Sequence, residues 1–336
     1  MHVELVRGSI VESRHHVHVA VVEGAGTLVA HAGDPDLVTF MRSVAKPFQA
    51  LPVVVDGAAE RFGLSEEDLA LCCASHSSEP AQVERVRAFL AKIGAAEADL
   101  LCGPHRPLSD AVAKDYETRG VRLTAIHSNC SGKHTGMLAL ARHHGWPTAG
   151  YNQPEHPVQQ RCLEEVSRWT DVPADRMGRG TDGCSVVTFA LPLRNMAWGW
   201  ARLANAEFGM RNAELKPAGG LRIPHSALRI RQAMLAHPDL LSGAGRPCCD
   251  IMRAHPGRVI AKVGAEGVYA ALLVREGWGV ALKVEDGHSA AAVLAIAAVL
   301  EQLGLGLLPA SLGARSISNS RGAVVGELRV RGEIAR

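Results

Sequence analysis

Strand-patterned segments stand at both ends of this chain, and a long helix-patterned stretch separates them. Near the start, apolar and polar residues alternate in His16-Val17-His18-Val19-Ala20-Val21 and in Thr27-Leu28-Val29-Ala30. Gly24-Ala25-Gly26 lies between them as a turn, which predicts an opening hairpin. From about Ser43 to Trp200 the spacing changes. Val83, Val86, Leu90 and Ile93 recur at three and four, and Ser65-Glu66-Glu67-Asp68 reads as a capping box. Strand signals return at 259–263, 268–274 and 279–284, followed by an apolar helix near 290–303 and a last strand at 323–330. The economical arrangement pairs the strands of both ends in one antiparallel sheet and sets the helical middle against it as a second lobe. The expected fold class is therefore α+β. No repeat or long linker divides the chain, so residues 1–336 read as one domain with a sheet lobe (about 1–40 and 255–336) and a mainly helical lobe (about 41–254). The cleft between the lobes is where a ligand site is expected.

Composition narrows the function. A hydrophobic fraction of 47% and a charged fraction of 21% supply a sizeable core and exclude a disordered chain. Lys plus Arg (36) nearly balances Asp plus Glu (34), so no overall field draws a polyanion, and 4% aromatic residues are too few for base-stacking platforms. Nucleic acid is not an expected partner. The longest apolar run, residues 290–300, is eleven residues, short of the ~20 that cross a bilayer. The opening Met1-His2-Val3-Glu4 carries no export signal, which makes the cytoplasm the expected compartment and leaves the eight cysteines mostly reduced.

Three clusters carry chemistry. In Arg42-Ser43-Val44-Ala45-Lys46-Pro47, Ser43 and Lys46 stand three apart at a loop-to-helix transition; Pro47 fits only a helix that has barely started. At that spacing a neutral, desolvated Lys46 can take the Ser43 proton, and free N–H groups at the helix start favour negative charge there. The Ser75-His76-Ser77-Ser78-Glu79-Pro80 loop offers a second hydroxyl. Lys262, inside an apolar strand with Gly264 two residues on, is either a site residue or an edge lysine facing water. The third cluster is Asn129-Cys130-Ser131-Gly132-Lys133-His134, opening a helix, together with the Gly-rich loop Gly180-Thr181-Asp182-Gly183-Cys184. Thiolates from two loops with room for a third ligand suit zinc, although the spacing is no zinc-finger pattern; two inert buried cysteines are the alternative.

Together these segments resemble the rhizobial-type, or class 3, L-asparaginases of the asparaginase II family. The resemblance also takes in Arg7-Gly8 through Val11-Glu12-Ser13 and Phe48-Gln49-Ala50. It implies a fold similar to serine β-lactamases and glutaminases, and hydrolysis of the side-chain amide of L-asparagine to aspartate and ammonia. Carried over by residue, it implies two Ser-Lys pairs, Ser43 with Lys46 and Ser75 with Lys262; Lys283 on a nearby strand competes for the last place. It implies zinc on Cys130, Lys133 and Cys184, water completing the shell, with Lys133 neutral. Asp182 and His134 match positions at the substrate, and a homodimer is implied as well. Ser9-Ile10, His15-His16 and the doubled Cys72-Cys73 have no match in the family pattern.

The expected mechanism is an acyl-enzyme route in which Ser43 attacks and Ser75 with Lys262 relays protons. Asp182 would take the substrate ammonium, Arg42 its carboxylate, and Lys133 the carboxylate only when metal-free; zinc would organise Lys133 and Asp182 more than generate hydroxide. The competing readings are a glutaminase or β-lactamase-like serine hydrolase of the same fold, and a non-catalytic zinc- or amino-acid-binding protein.

Overall fold

The two ends of the chain meet in one sheet in the computed structural model, which describes residues 1–205 and 225–336. The strands are β1 (His2–Arg7), β2 (Ile10–Glu23), β3 (Leu28–Ala32), β4 (Val38–Phe40), β5 (Gly178–Thr181), β6 (Val187–Pro192), β7 (Val259–Val263), β8 (Val268–Leu273), β9 (Trp278–Val284), β10 (Arg315–Ser318) and β11 (Val324–Arg331). The large sheet runs β10-β11-β1-β2-β9-β8-β7, with β3 also on β2, and its pairings are antiparallel. The joint is β2. Its first part, through His16, pairs with β1, and its second part, from Val17 to Glu23, pairs with β9.

The α helices up to residue 204 are α1 (Lys46–Val55), α2 (Ala58–Arg61), α3 (Glu66–Cys73), α4 (Pro80–Lys92), α5 (Asp110–Thr118), α6 (Ser131–His144), α7 (Pro157–Thr170) and α8 (Leu193–Ala204). The fold is α+β, an antiparallel sheet from both chain ends with helices against it. All six residues of β8 are buried, because the sheet centre is covered by α8 and by the helix Ser289–Gln302. Gly279 of β9 lets α8 lie directly on the strand, since a Cβ there would fall 2.0 Å from the Ala197 carbonyl oxygen. The capping box at Ser65 is formed, with Asp68 and Ser65 each answering the other's backbone N–H.

Reading the middle as mainly helical passes over β5 and β6, which form a second, three-stranded sheet with β4 in the order β4-β6-β5. The apolar run of β6 is almost wholly buried. Its hairpin with β5 turns through Asp182 to Val186, closed by Asp182 N–H to the Val186 carbonyl at 2.8 Å.

Among the helices, α1 is the buried axis: every residue from Lys46 to Val54 is buried, including the lysine. Against it pack α3, α6 and α7. α3 and α6 touch backbone to backbone at Gly132, where a Cβ would stand 2.4 Å from the Leu71 carbonyl oxygen. One turn on, a Cβ at Gly136 would meet the Cys72 sulfur at 2.7 Å, so the doubled cysteine is a packing feature of this contact. The approach matters because α3 leads into Ser75 and α6 opens at Cys130. Gly132→Ala is expected to cost about 1–3 kcal/mol by overpacking a backbone that has nowhere to move. Thermal unfolding of the variant against the wild type checks this; an unchanged midpoint would mean the two helices are not in contact there.

Candidate active site

Residues from five segments converge: the start of α1, the Ser75 loop, the start of α6, the turn between β5 and β6, and β7. Met41 donates its N–H to the Phe189 carbonyl of β6 at 2.8 Å, which pins the chain before α1. Arg42 then adopts φ 50°, a left-handed conformation that costs a non-glycine residue about 1–3 kcal/mol and is kept where surroundings over-determine it. Here its guanidinium Nε donates to Asp182 Oδ1 at 2.8 Å, across 140 residues of chain. Ser43 follows in a single 3-10 turn, Arg42–Ala45, and the α-helix proper begins at Lys46 with Pro47 in its first turn, as the proline required. Gly264, just past β7, lies against the Met41 carbonyl, and this brings β7 and its Lys262 beside the turn.

Ser75 is the meeting point. Its Oγ takes a hydrogen bond from Lys262 Nζ at 2.7 Å and one from Lys46 Nζ at 3.0 Å. Lys46 also donates to the Ala74 carbonyl at 2.5 Å, and Lys262 to the Val263 carbonyl at 3.1 Å. Lys46 thus reaches Ser75, whereas among the described residues the Ser43 hydroxyl has no hydrogen-bond partner and is only partly covered. Lys283 is elsewhere, donating to the Val284 and Glu285 carbonyls. Lys262 is the lysine beside Ser75. Burial, reinforced by the neighbouring Lys46, pushes its pKa down to about 7, so near neutrality it exchanges its proton freely.

The loop that carries Ser75 is stitched in place. Ser75 N–H donates to the Leu241 carbonyl, and His76 N–H to the Asn129 carbonyl just before α6. The His76 ring takes the Ser78 N–H on Nδ1 and therefore donates from Nε2 to Ser131 Oγ at 2.8 Å. Burial lowers its pKa to about 3, so the ring stays neutral.

Cys130, Lys133, Asp182 and Cys184 form the second half of the site. Lys133 Nζ donates to Cys184 Sγ at 3.0 Å, and Cys130 also hydrogen-bonds to Cys184. The Cys130 hydrogen bond lowers the Cys184 pKa to about 5 against the effect of burial, with Lys133 helping; Cys130, as the partner that keeps its proton, rises to about 12. Burial works to lower Lys133, but the two cysteines and Asp182 overcome it and hold the amine firmly protonated. Burial raises Asp182, and Lys133 and Arg42 more than offset this, leaving it below the ordinary carboxylate range. The Arg42–Asp182 pair sits on the rim, with side-chain exposures of 22% and 11%. His134 is fully buried behind Lys133; burial and then the Lys133 charge lower its pKa to about 3.

As to metal, two thiols and one amine within mutual contact, one thiol already near the thiolate state, are a donor set that suits zinc, provided Lys133 gives up the proton it holds without the ion. Among the described residues no group of three or more His, Cys, Asp and Glu side chains is arranged to hold a metal ion, so Lys133 is needed to complete any such set. All eight cysteines are free and buried.

Two side chains around the site have contacts that motif spacing does not announce. Tyr151, whose hydroxyl lies 2.6 Å from His134 Nδ1, stands in a stretch with no motif. Ser131 lies inside a flagged segment, but its pairing with His76 depends on how α3 and α6 pack and not on spacing.

Comparison with protein families gives a match over residues 3–330 to the family described as L-asparaginase II. Comparison with curated protein sequences finds no match. Among solved structures, the chain is similar to Mglu in its native form at 4.3 M NaCl (17% identity, TM-score 0.47, covering 91% of this chain and 66% of Mglu). A β-lactamase from Mycobacterium bovis is also similar (13% identity, TM-score 0.39, covering 82% of this chain and 89% of that one).

The buried Lys262 amine makes a checkable difference to stability. Between about pH 7, its folded value, and its ordinary value of 10.5, the unfolded chain holds a proton that the folded chain has shed, so folding becomes more favourable as pH rises through that window. Lys262→Met removes this dependence. Urea unfolding is expected to show the variant more stable than the wild type at pH 7, with the gap narrowing by pH 9.5; a gap independent of pH would place the Lys262 amine in a water-like environment.

Proposed function

The chain belongs to the L-asparaginase II family, an amidohydrolase family, and on that premise we propose that it hydrolyses the side-chain amide of L-asparagine through an acyl-enzyme on Ser43. The observation that carries the proposal is the Lys46–Ser75–Lys262 chain of hydrogen bonds next to a serine with a free hydroxyl. Once Lys46 has passed a proton through Ser75 to neutral Lys262, Ser43 Oγ gives its proton to the Lys46 amine and attacks the amide carbon; the Ser43 N–H, at the start of the 3-10 turn, holds the oxyanion. The proton passes from Lys46 through Ser75 to the leaving nitrogen, so that ammonia departs neutral. Water then attacks the ester, its proton returning through Ser75 and Lys262, and aspartate leaves with Ser43 restored.

Arg42 and Asp182 present a positive and a negative group side by side, which suits the carboxylate and ammonium of an α-amino acid. Zinc on Cys130, Lys133 and Cys184 would supply a fixed positive charge that orders this end of the pocket. Glutamine differs from asparagine by one methylene, a discrimination of about 1–3 kcal/mol, so the glutaminase reading remains the comparison that the assay must include. The proposal extends to a homodimer, supported by the family resemblance, and to the cytoplasm, supported by eight thiols none of which is paired. No helix among the described residues is long and apolar enough to cross a membrane.

Ammonia release from L-asparagine, run beside L-glutamine, is expected for the wild type and should fall by roughly 10⁴-fold or more in Ser43→Ala. Release retained in Ser43→Ala but lost in Ser75→Ala would move the acyl group to Ser75. The wild-type kcat/KM should climb as pH passes about 7, where Lys262 becomes neutral; Lys262→Arg should lose about 10²–10⁴-fold and the climb with it. Cys130→Ala is expected to raise KM more than it lowers kcat, and the opposite pattern would give the metal a chemical role.

A further inference from the structure

His134 uses one of its two ring nitrogens. Its Nδ1 lies 2.6 Å from the Tyr151 hydroxyl, and that hydroxyl also accepts the Leu101 backbone N–H at 2.9 Å. A backbone N–H can only donate, so it occupies a lone pair of the phenol oxygen and leaves the phenol's single proton for Nδ1. The Tyr151 ring is fully buried and packs edge-on against His134, with centroids 5.5 Å apart at 72°, so neither ring is free to choose another partner. With Nδ1 accepting, the neutral imidazole carries its hydrogen on Nε2. Nε2 is buried and has no partner among the described residues. A fully buried donor without an acceptor is costly and calls for a partner, a water or a ligand, to complete it. His134 follows Lys133 directly, and Lys133, Cys130, Lys46 and Asp182 are the charges that act on it, so its unpartnered nitrogen lies among the residues of the candidate site.

We infer that Tyr151 is a positioning residue that fixes His134 as the Nε2–H tautomer, so that the buried ring offers one N–H to a carboxylate or amide oxygen of the substrate. This rests on the amidohydrolase reading. The opposite tautomer would turn a bare nitrogen toward the pocket and ask the substrate for a hydrogen instead, so the phenol decides which face of an amino-acid amide the histidine reads.

The tautomer is observable without turnover. Long-range 1H–15N spectra of the full chain, with the His134 signal identified by its loss in His134→Gln, should show the hydrogen on Nε2 in the wild type and its departure from that state in Tyr151→Phe. A hydrogen on Nδ1 in the wild type overturns the inference. In kinetics, Tyr151→Phe should raise the KM for L-asparagine about tenfold and leave kcat within about threefold. His134→Gln, whose amide reaches the outer position with an N–H, should retain lower KM than His134→Asn, whose shorter amide reaches only the Tyr151 side. Adding Tyr151→Phe to His134→Asn should not raise KM further. A Tyr151→Phe protein with lowered melting temperature and unchanged KM would make the tyrosine a packing residue and overturn the inference. Wild type that hydrolyses neither asparagine nor glutamine would remove the amidohydrolase reading instead, and the spectra would still decide the tautomer.

Discussion

Two amines that burial has stripped of water share one hydroxyl, and the architecture exists to hold them there. Lys46 comes from the buried axis of the helical layer and Lys262 from a strand of the sheet, and both point at Ser75. Neither could be kept in a dry interior alone, because an unpaired ammonium is among the costliest groups to bury. Each has a carbonyl oxygen of its own as well as the shared hydroxyl. Burial, and then the neighbouring Lys46, lower the hold of Lys262 on its proton. A protein that only needed stability would replace such a pair with apolar side chains.

The other half of the site inverts this arrangement. Around Lys133 and Arg42 stand Cys184, Cys130 and Asp182, so charge is compensated and not frustrated. One half of the site sets two amines on a single hydroxyl, and the other surrounds an amine and a guanidinium with acidic groups. The two sides are physically tied: the Ser75 loop and the start of α6 are joined by the His76–Ser131 hydrogen bond and by the glycine contact between α3 and α6. A shift of one side by an ångström would be felt by the other.

Much of this could be read from the order of residues, and what could be read shares a cause. Ser43 with Lys46, and Cys130 with Lys133 and His134, stand at helical spacings, so each set shares one segment, although the Lys46 amine turns to Ser75 and not to Ser43. The capping box and the opening hairpin are legible for the same reason. Lys262 is visible as a lysine in an apolar strand, and only the structure separates it from Lys283, because which strand passes the Ser75 loop is settled by sheet order. The Arg42–Asp182 pair spans 140 residues, and no local rule announces it. β5 and β6 are short and lie inside a helical stretch, so helical periodicity on either side masks them. Tyr151 leaves no trace, because its role lies in one contact across a fold that sequence spacing does not encode.

The split pairing of β2 has a consequence for how the molecule is made. Its second half needs β9, and β9 ends at Val284, some 260 residues after β2 has left the ribosome. Contacts between segments so far apart form slowly, since the loop between them must close before they reward it. Lys262 lies on the strand two places beyond β9 in the sheet, so the hydroxyl of Ser75 meets its second amine only when that late pairing is complete. During synthesis the helical layer can gather around α1 while the proton chain still lacks its far end. A nascent chain of this kind would hold Ser75, its Lys46 amine and the charged cluster around Lys133, and still lack the amine that the sheet brings to the same hydroxyl.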